Sequence, residues 1–193
     1  MKKLGNILFK YRSYTPLPFV FLMILFMNPT PISIVIGFII LLFGESIRIW
    51  SVCYAGSETR TTSGVGGSNL VTQGPYSIIR NPLYWGNIMM YGGIGIMSNA
   101  LSPFLLIIAV SYFIFQYYLI IFNEEDYLRI AYKESFETYC SYVHRFLPFP
   151  KSLPAEINSN LIFDLKDGLR SERRSIQAAT IISIIILLKF IFF

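Results

Sequence analysis

The sequence predicts an all-α, polytopic membrane protein with about five transmembrane helices. Three observations carry that prediction. Of 193 residues, 54% are hydrophobic and only 14% charged, against about a quarter charged in an ordinary soluble domain. The apolar residues fall in long runs, and a spanning helix needs roughly 20 of them. Lys and Arg gather in alternate connections, as the positive-inside rule requires of a chain threaded back and forth through a bilayer. The length allows one compact domain and hardly two, so residues 1–193 read as a single integral membrane domain.

The elements follow in order. Met1-Lys2-Lys3 is basic enough to open a signal peptide. However, Lys10 and Arg12 interrupt the apolar stretch and no small-residue cleavage site follows, so the first helix is expected to stay. Tyr14 to Met27 reads as a short first span. Asn28-Pro29-Thr30-Pro31 then turns the chain tightly into the second, Pro31 to Val52, forming a helical hairpin. Tyr84 to Asn99 is short but continuous, and Gly86, Gly92, Gly93 and Gly95 suit close helix packing in lipid. Leu101 to Phe122 is the fourth span. Ile176 to Phe193 is the fifth, interrupted near its end by Lys189.

Charge orients this bundle. Lys2, Lys3, Lys10 and Arg12 precede the first span, and Arg60 and Arg80 lie between the second and third. Arg129, Lys133, Arg145, Lys151, Lys166, Arg170, Arg173 and Arg174 lie between the fourth and fifth. The connections around Asn28–Thr30 and Ser98–Pro103 hold no Lys or Arg. The N-terminus and the loops 53–83 and 123–175 are therefore expected in the cytoplasm, as in a prokaryotic inner membrane, with any chemistry on that face.

The net charge of +5 does not point to nucleic acid, because the basic residues sit beside apolar segments instead of forming a patch on a polar domain. The bilayer is the expected partner, and the oligomeric state is not legible. Cys53 and Cys140 are far apart and lack metal or redox spacing, and His144 is the sole histidine, so no metal site is expected.

Two polar constellations interrupt the apolar pattern. In GPYSIIRNPLYWG, Gly74-Pro75 makes one turn and Pro82 fixes another, with Asn81 held extended before it. Arg80 is thus presented at the membrane edge by a rigid loop, flanked by Tyr76 and Tyr84. The residues alone suit either interfacial anchoring or a binding wall. The second constellation is Asn123-Glu124-Glu125-Asp126, followed by Leu128, Tyr132, Phe136, Tyr139 and Val143 at helical spacing. That is an amphipathic helix with Arg129, Lys133 and Glu137 off its apolar stripe. It ends where Arg145 leads into Phe146-Leu147-Pro148-Phe149-Pro150. An acidic pair, an Arg-bearing loop and tyrosines suit a cationic ligand with an aromatic ring.

Glu45 and Arg48, three apart near one end of the second span, read either as an internal ion pair or as substrate-facing groups. Gly64-Val65-Gly66-Gly67-Ser68 has a phosphate-loop look without the flanking strand and helix, and reads as a flexible loop.

GPYSIIRNPLYWG resembles the GPY…RHPxYxG signature of the isoprenylcysteine carboxyl methyltransferase and phospholipid methyltransferase superfamily. NEEDYLRIAYKESFETYCSYVHRFLP resembles its second block, and GESIRIWSVCYAG and NLVTQGPY resemble the approach to the first. The likeness covers residues 36–150, leaving 151–193 as a basic linker and an extra helix. It implies an integral membrane enzyme that uses S-adenosyl-L-methionine, yields S-adenosyl-L-homocysteine, and methylates a lipophilic or small-molecule acceptor. By matching positions, Tyr76, Arg80, Asn81, Pro82, Tyr84 and Gly86 form one wall of the cofactor pocket. Glu124 and Glu125 form the other, with Tyr139 and Arg145 in the covering helix and its exit. Arg80 is implied to hold the cofactor carboxylate, and Glu124 or Glu125 to serve as base. Glu45, Arg48 and Arg145 are candidates on the substrate side.

The chain departs from the family pattern at four points. Asn81 stands for a His, Tyr132-Lys133 for Phe-Gly, His144 for a Pro, and Ile120-Ile121 where carboxyl methyltransferases carry an Arg. The last departure leaves the acceptor open. A nicotinamide-dependent membrane sterol reductase is the nearest rival, but its loop reads RHPNYxGE, and this chain has Leu83 and Asn87 at the Asn and Glu positions. A non-enzymatic membrane scaffold is the other.

Overall fold

The computed structural model describes residues 2–56, 70–148, 153–154, 157 and 161–192. Gly64–Ser68, Arg60, Lys151, Phe149 and Pro150 lie outside the described residues. Those described are all helical, with no strand, in the order α1 (Lys2–Tyr11), α2 (Leu17–Leu25), α3 (Pro31–Ala55), α4 (Pro82–Ser98), α5 (Phe104–Tyr142) and α6 (Leu165–Phe192).

The α3 helix starts where Thr30 and Ser33 close a reciprocal cap. The Ser33 N–H donates to Thr30 Oγ1 at 3.1 Å, the Thr30 N–H donates to Ser33 Oγ at 2.9 Å, and Pro31 occupies the first turn. Asn99, at φ 49°, ends α4 in a left-handed cap. These two helices run antiparallel along a seam of glycines. A Cβ added at Gly44 would lie 2.8 Å from the Gly86 carbonyl oxygen, and one added at Gly93 would lie 2.7 Å from that of Gly37. The two backbones touch because no side chain separates them, the packing small residues permit in lipid.

At one end of the bundle the Asn28 N–H donates to the Ser98 carbonyl at 2.9 Å, and Asn99 Nδ2 donates to the Asn28 carbonyl at 2.9 Å. The two connections without Lys or Arg are therefore stapled side by side, and the charged segments lie at the opposite end.

Three helices, α3, α5 and α6, are long and apolar enough to cross a membrane. The chain is an integral membrane protein. The remaining two expected spans are shorter: α2 has 9 residues and α4 has 17. The sequence reading of Tyr14–Met27 as one span contracts to Leu17–Leu25, because Pro16 and Pro18 fix where the helix begins. The α1 helix before it went unforeseen.

The expected loop 123–175 is also largely helical. Leu165–Ser175 continues the last helix well before Ile176, since Leu, Lys, Arg and Glu are good helix formers whatever their hydropathy. The α5 helix runs unbroken past its apolar stretch, which ends at Phe122, until Lys133. There φ 45° and ψ −119° break it, a conformation L side chains rarely adopt. Beyond the break, Phe136, Tyr139 and Val143 are buried with Leu128 and Tyr132 packed on them, the stripe expected from their spacing.

Candidate functional site

The charged end of the bundle is built by the turn between α3 and α4. Gly74, at φ 59°, opens a short 3₁₀ turn over Gly74–Ser77 that Ser77 Oγ fastens to the Gly74 carbonyl at 2.7 Å. The chain then passes under the end of α5. The Arg80 N–H donates to the His144 carbonyl at 3.0 Å, while Arg80 Nη1 donates to the carbonyls of Val143 at 2.6 Å and Cys140 at 3.3 Å. A helix end leaves such carbonyls without partners, and a cation there also meets the negative end of the dipole. Arg80 thus caps the end of α5 from outside the helix, bonding the carbonyls around its C-cap residue Val143.

Arg80 Nε also donates to Glu125 Oε1 at 3.1 Å. Arg145 approaches the same carboxylate from the other side, with Nη2 to Oε2 at 2.5 Å. Glu125 is 2% exposed. Burial pushes its carboxyl up, but the Arg145 hydrogen bonds and the Arg80 charge win and hold it below the usual range.

Further bonds stitch the two segments together. Asn81 Nδ2 donates to the Arg145 carbonyl at 3.3 Å, Trp85 Nε1 to the Phe146 carbonyl at 2.9 Å, and the Tyr139 hydroxyl to the Tyr76 carbonyl at 2.6 Å.

Glu124 follows a different course. One residue along a helix is about 100° around it, so Glu124 turns away from the arginines and toward a cavity. The Tyr84 hydroxyl donates to its Oε1 at 2.7 Å. Burial raises the Glu124 carboxyl to about 7, against the pull of the Tyr84 bond and the Arg12 charge. Adjacent carboxylates are thereby driven to opposite sides of their ordinary value.

The cavity measures about 1050 Å³ and is lined by Tyr76, Arg80, Asn81, Pro82, Tyr84, Glu124, Glu125 and Tyr139 together. Of the expected site residues, Gly86 is buried in the α3–α4 seam instead, and Arg145 stands behind Glu125. Arg48 lines the cavity. The expected Glu45–Arg48 pair takes a different form: Glu45 is buried near enough to act on the Arg48 charge. The partner Arg48 grips directly is Glu172 of α6, with Nη2 to Oε2 at 2.7 Å and Nε to Oε2 at 3.1 Å. Sequence reasoning missed Glu172, Asn87 and the cavity-lining Lys10, Arg12 and Arg174, which it took as topology signals. No local pattern ties Glu172 to Arg48, since 124 positions separate them.

A helical membrane protein with a cavity of mixed charged, aromatic and apolar lining at the charged end of its bundle is the class that fold and site define. Comparison refines it. A phospholipid methyltransferase family model matches residues 32–135, more than half of the chain, and the chain belongs to that family of membrane methyltransferases. The matched stretch holds the Arg-Asn-Pro turn and the acidic pair but stops short of Tyr139, Arg145 and α6. The chain is similar to the cobalt-zinc-cadmium resistance protein CzcN of Cupriavidus metallidurans, with 29% identity over 119 residues covering 62% of this chain and 50% of the relative. The chain thus spans about half the length of the curated relative it matches. No solved structure matches it.

Proposed function

We propose that the protein transfers a methyl group from S-adenosylmethionine to a lipophilic or small-molecule acceptor at the cytoplasmic membrane face. One observation carries this reading: Tyr84 and Glu124, 40 residues apart in sequence, bond one another on the wall of one cavity. Family membership supports methyl transfer in general.

The residues fit the cofactor chemically. Its ammonium and sulfonium are cations, which the Glu124 carboxylate and the faces of Tyr76 and Tyr84 suit. Arg80 lines the cavity as a cation fixed by Glu125, in keeping with a carboxylate ligand. A volume near 1050 Å³ is at the upper end of ordinary ligand sites, about 300–1,000 Å³, so an acceptor has room beside the cofactor. S-adenosylmethionine, when bound, supplies an electrophilic methyl group on sulfur.

The chain's own part is to align the acceptor and keep water out, which lowers the barrier of a displacement without elaborate acid–base machinery. Where the acceptor carries a proton, Glu124 is the base. Its carboxyl near 7 suits proton transfer at neutral pH, whereas Glu125 is held charged between two guanidinium groups. Oxygen, nitrogen and sulfur acceptors are all compatible with this wall. In this reading α2 and α4 complete five spans in a prokaryotic inner membrane, with the N-terminus cytoplasmic.

Calorimetry with S-adenosylhomocysteine on detergent-purified protein tests the proposal. Micromolar binding to the wild type, lost in Glu124→Gln, is the expected result. Binding of NADPH instead would favour the reductase, and binding of neither the scaffold.

A further inference from the structure

The cavity has a side that the Tyr84–Glu124 wall does not use. Lys10, Ser13 and Tyr14, from the end of α1 and the turn after it, line the cavity while standing exposed. So do Arg174 and Ala178 of α6, and together they form a mouth. The α1 helix packs on α5, whereas α6 packs on α3 and α4, so the mouth has two separate walls. Both walls lie outside the family-matched stretch, residues 32–135.

The walls change character in the same direction. The Asp164 N–H donates to the Cys53 carbonyl at 3.0 Å, so the chain enters α6 at the charged end of α3 and runs inward from there. Along α6 the cavity meets Arg174 and Ser175 first, then Ala178, Ala179 and Ile182, at spacings that share one face. From Arg174 to Ile182 is about 12 Å of helix. On the other wall Lys10 and Arg12 precede Val20 of α2, which leads to the stapled end of the bundle. The floor between them is apolar, with Met90 and Ile94.

Charge marks out the mouth. Elsewhere in the lining Arg80 is matched by Glu125 and Arg48 by Glu172. Lys10 and Arg174 take part in no ion pair among the described residues. The Arg12 guanidinium is seated over the Phe9 ring, 4.0 Å from its centre. Asp167 also lines the cavity, but seven residues of helix, about 10 Å, separate it from Arg174. Basic pockets between spanning helices are a setting for acidic lipid headgroups.

We infer that the slot between the α1–α2 turn and α6 binds an anionic bilayer lipid. Its phosphate meets Lys10, Arg12 and Arg174, and an acyl chain lies against Val20, Ala178, Ala179 and Ile182. The head carries a net negative charge, because a zwitterionic head brings its own cation and leaves the excess positive charge of the mouth unanswered. A free phosphate would satisfy the cations but leave the apolar part of the slot uncovered. The site stands on the two walls and not on methyl transfer.

Native mass spectrometry of the full-length protein in detergent, without cofactor, tests this with dioleoylphosphatidylglycerol, dioleoylphosphatidylcholine and glycerol phosphate. The phosphatidylglycerol is expected to bind about tenfold more tightly than the phosphatidylcholine, and glycerol phosphate more weakly than either. The double variant Lys10→Gln/Arg174→Gln should lose the preference. Lys3→Gln/Arg173→Gln removes the same charge from the same two helices outside the cavity lining, and should keep it. Equal binding of the two lipids, an equal loss in both double variants, or a preference that survives Lys10→Gln/Arg174→Gln overturns the site. Glycerol phosphate binding as tightly as phosphatidylglycerol overturns the lipid as its occupant. Calorimetry with S-adenosylhomocysteine on the same protein is a separate reading, so methyl transfer can fail while the lipid preference persists.

Discussion

The α4 helix takes part in two contacts that work in opposite ways. Along its length it meets α3 backbone to backbone, at Gly44 and Gly86 and again at Gly37 and Gly93, with close fit as the main contact and the Arg48–Asn87 and Ser33–Met97 bonds added to it. At its first turn it meets the end of α5 through charges and hydrogen bonds: Arg80 on three carbonyls and a carboxylate, Tyr84 on Glu124, Trp85 on the Phe146 carbonyl. In lipid, apolar burial gives helices little reason to associate, so close approach and polar bonds are the available means. The chain uses the first along the helix pair and the second at the charged end of the bundle, where the cavity lies.

Breaking the glycine seam should have the largest effect. In Gly93→Leu the new Cβ would sit 2.7 Å from backbone atoms of both Gly37 and Leu41, neither of which can swing aside. A loss of about 3 kcal/mol or more is expected, seen as loss of the monodisperse folded peak in size-exclusion chromatography and a collapsed thermal transition. Breaking the polar junction comes next. Glu125→Ala strips the carboxylate from between Arg80 and Arg145, and removing one partner of a buried pair costs about 3 kcal/mol, measurable by thermal unfolding in detergent.

A subtler change sharpens the junction's chemistry. Glu124 is protonated below about 7 and charged above it. The Tyr84 hydroxyl favours the charged form, so Tyr84→Phe should move the midpoint upward by about one pH unit. The carboxyl band assigned by difference against Glu124→Gln would follow it; a midpoint that falls or stays would show that Tyr84 does not govern this carboxyl. The smallest expected effect is a gain. Lys133 holds φ 45° where the family pattern has glycine, and Lys133→Gly should stabilise the fold by about 1 kcal/mol through relief of that strain. A lowered melting temperature would mean that the lysine side chain compensates for its backbone.

What the sequence made legible follows the same division. The seam could be anticipated because glycines on an apolar helix have one common use, and the two segments of the cavity wall because turn residues and acids stand out against lipid-facing runs. The split between Glu124 and Glu125 was not legible: the residues are chemically alike and adjacent, and only the helix's rotation assigns one to the arginines and the other to the cavity. The start of α6 was hidden because DLKDGLRSERRS carries polar residues that hydropathy counts against a span and helix propensity does not. Glu172 was hidden for a stronger reason. One acid among three in a segment of mixed charge has no periodicity to announce a partner on another helix.

The glycine seam has a mechanical corollary. Two helices in backbone contact have no side-chain layer to deform, and so behave as one stiff plank. Whatever breathing the cavity allows falls to the elements around that plank: α2 and α6, which pack on it, and α1, which packs on α5, all of which contribute to the cavity lining. Compliance in this protein is thus assigned to helices outside the α3–α4 pair, and α1, α2 and α6 lie wholly outside the stretch that marks its family.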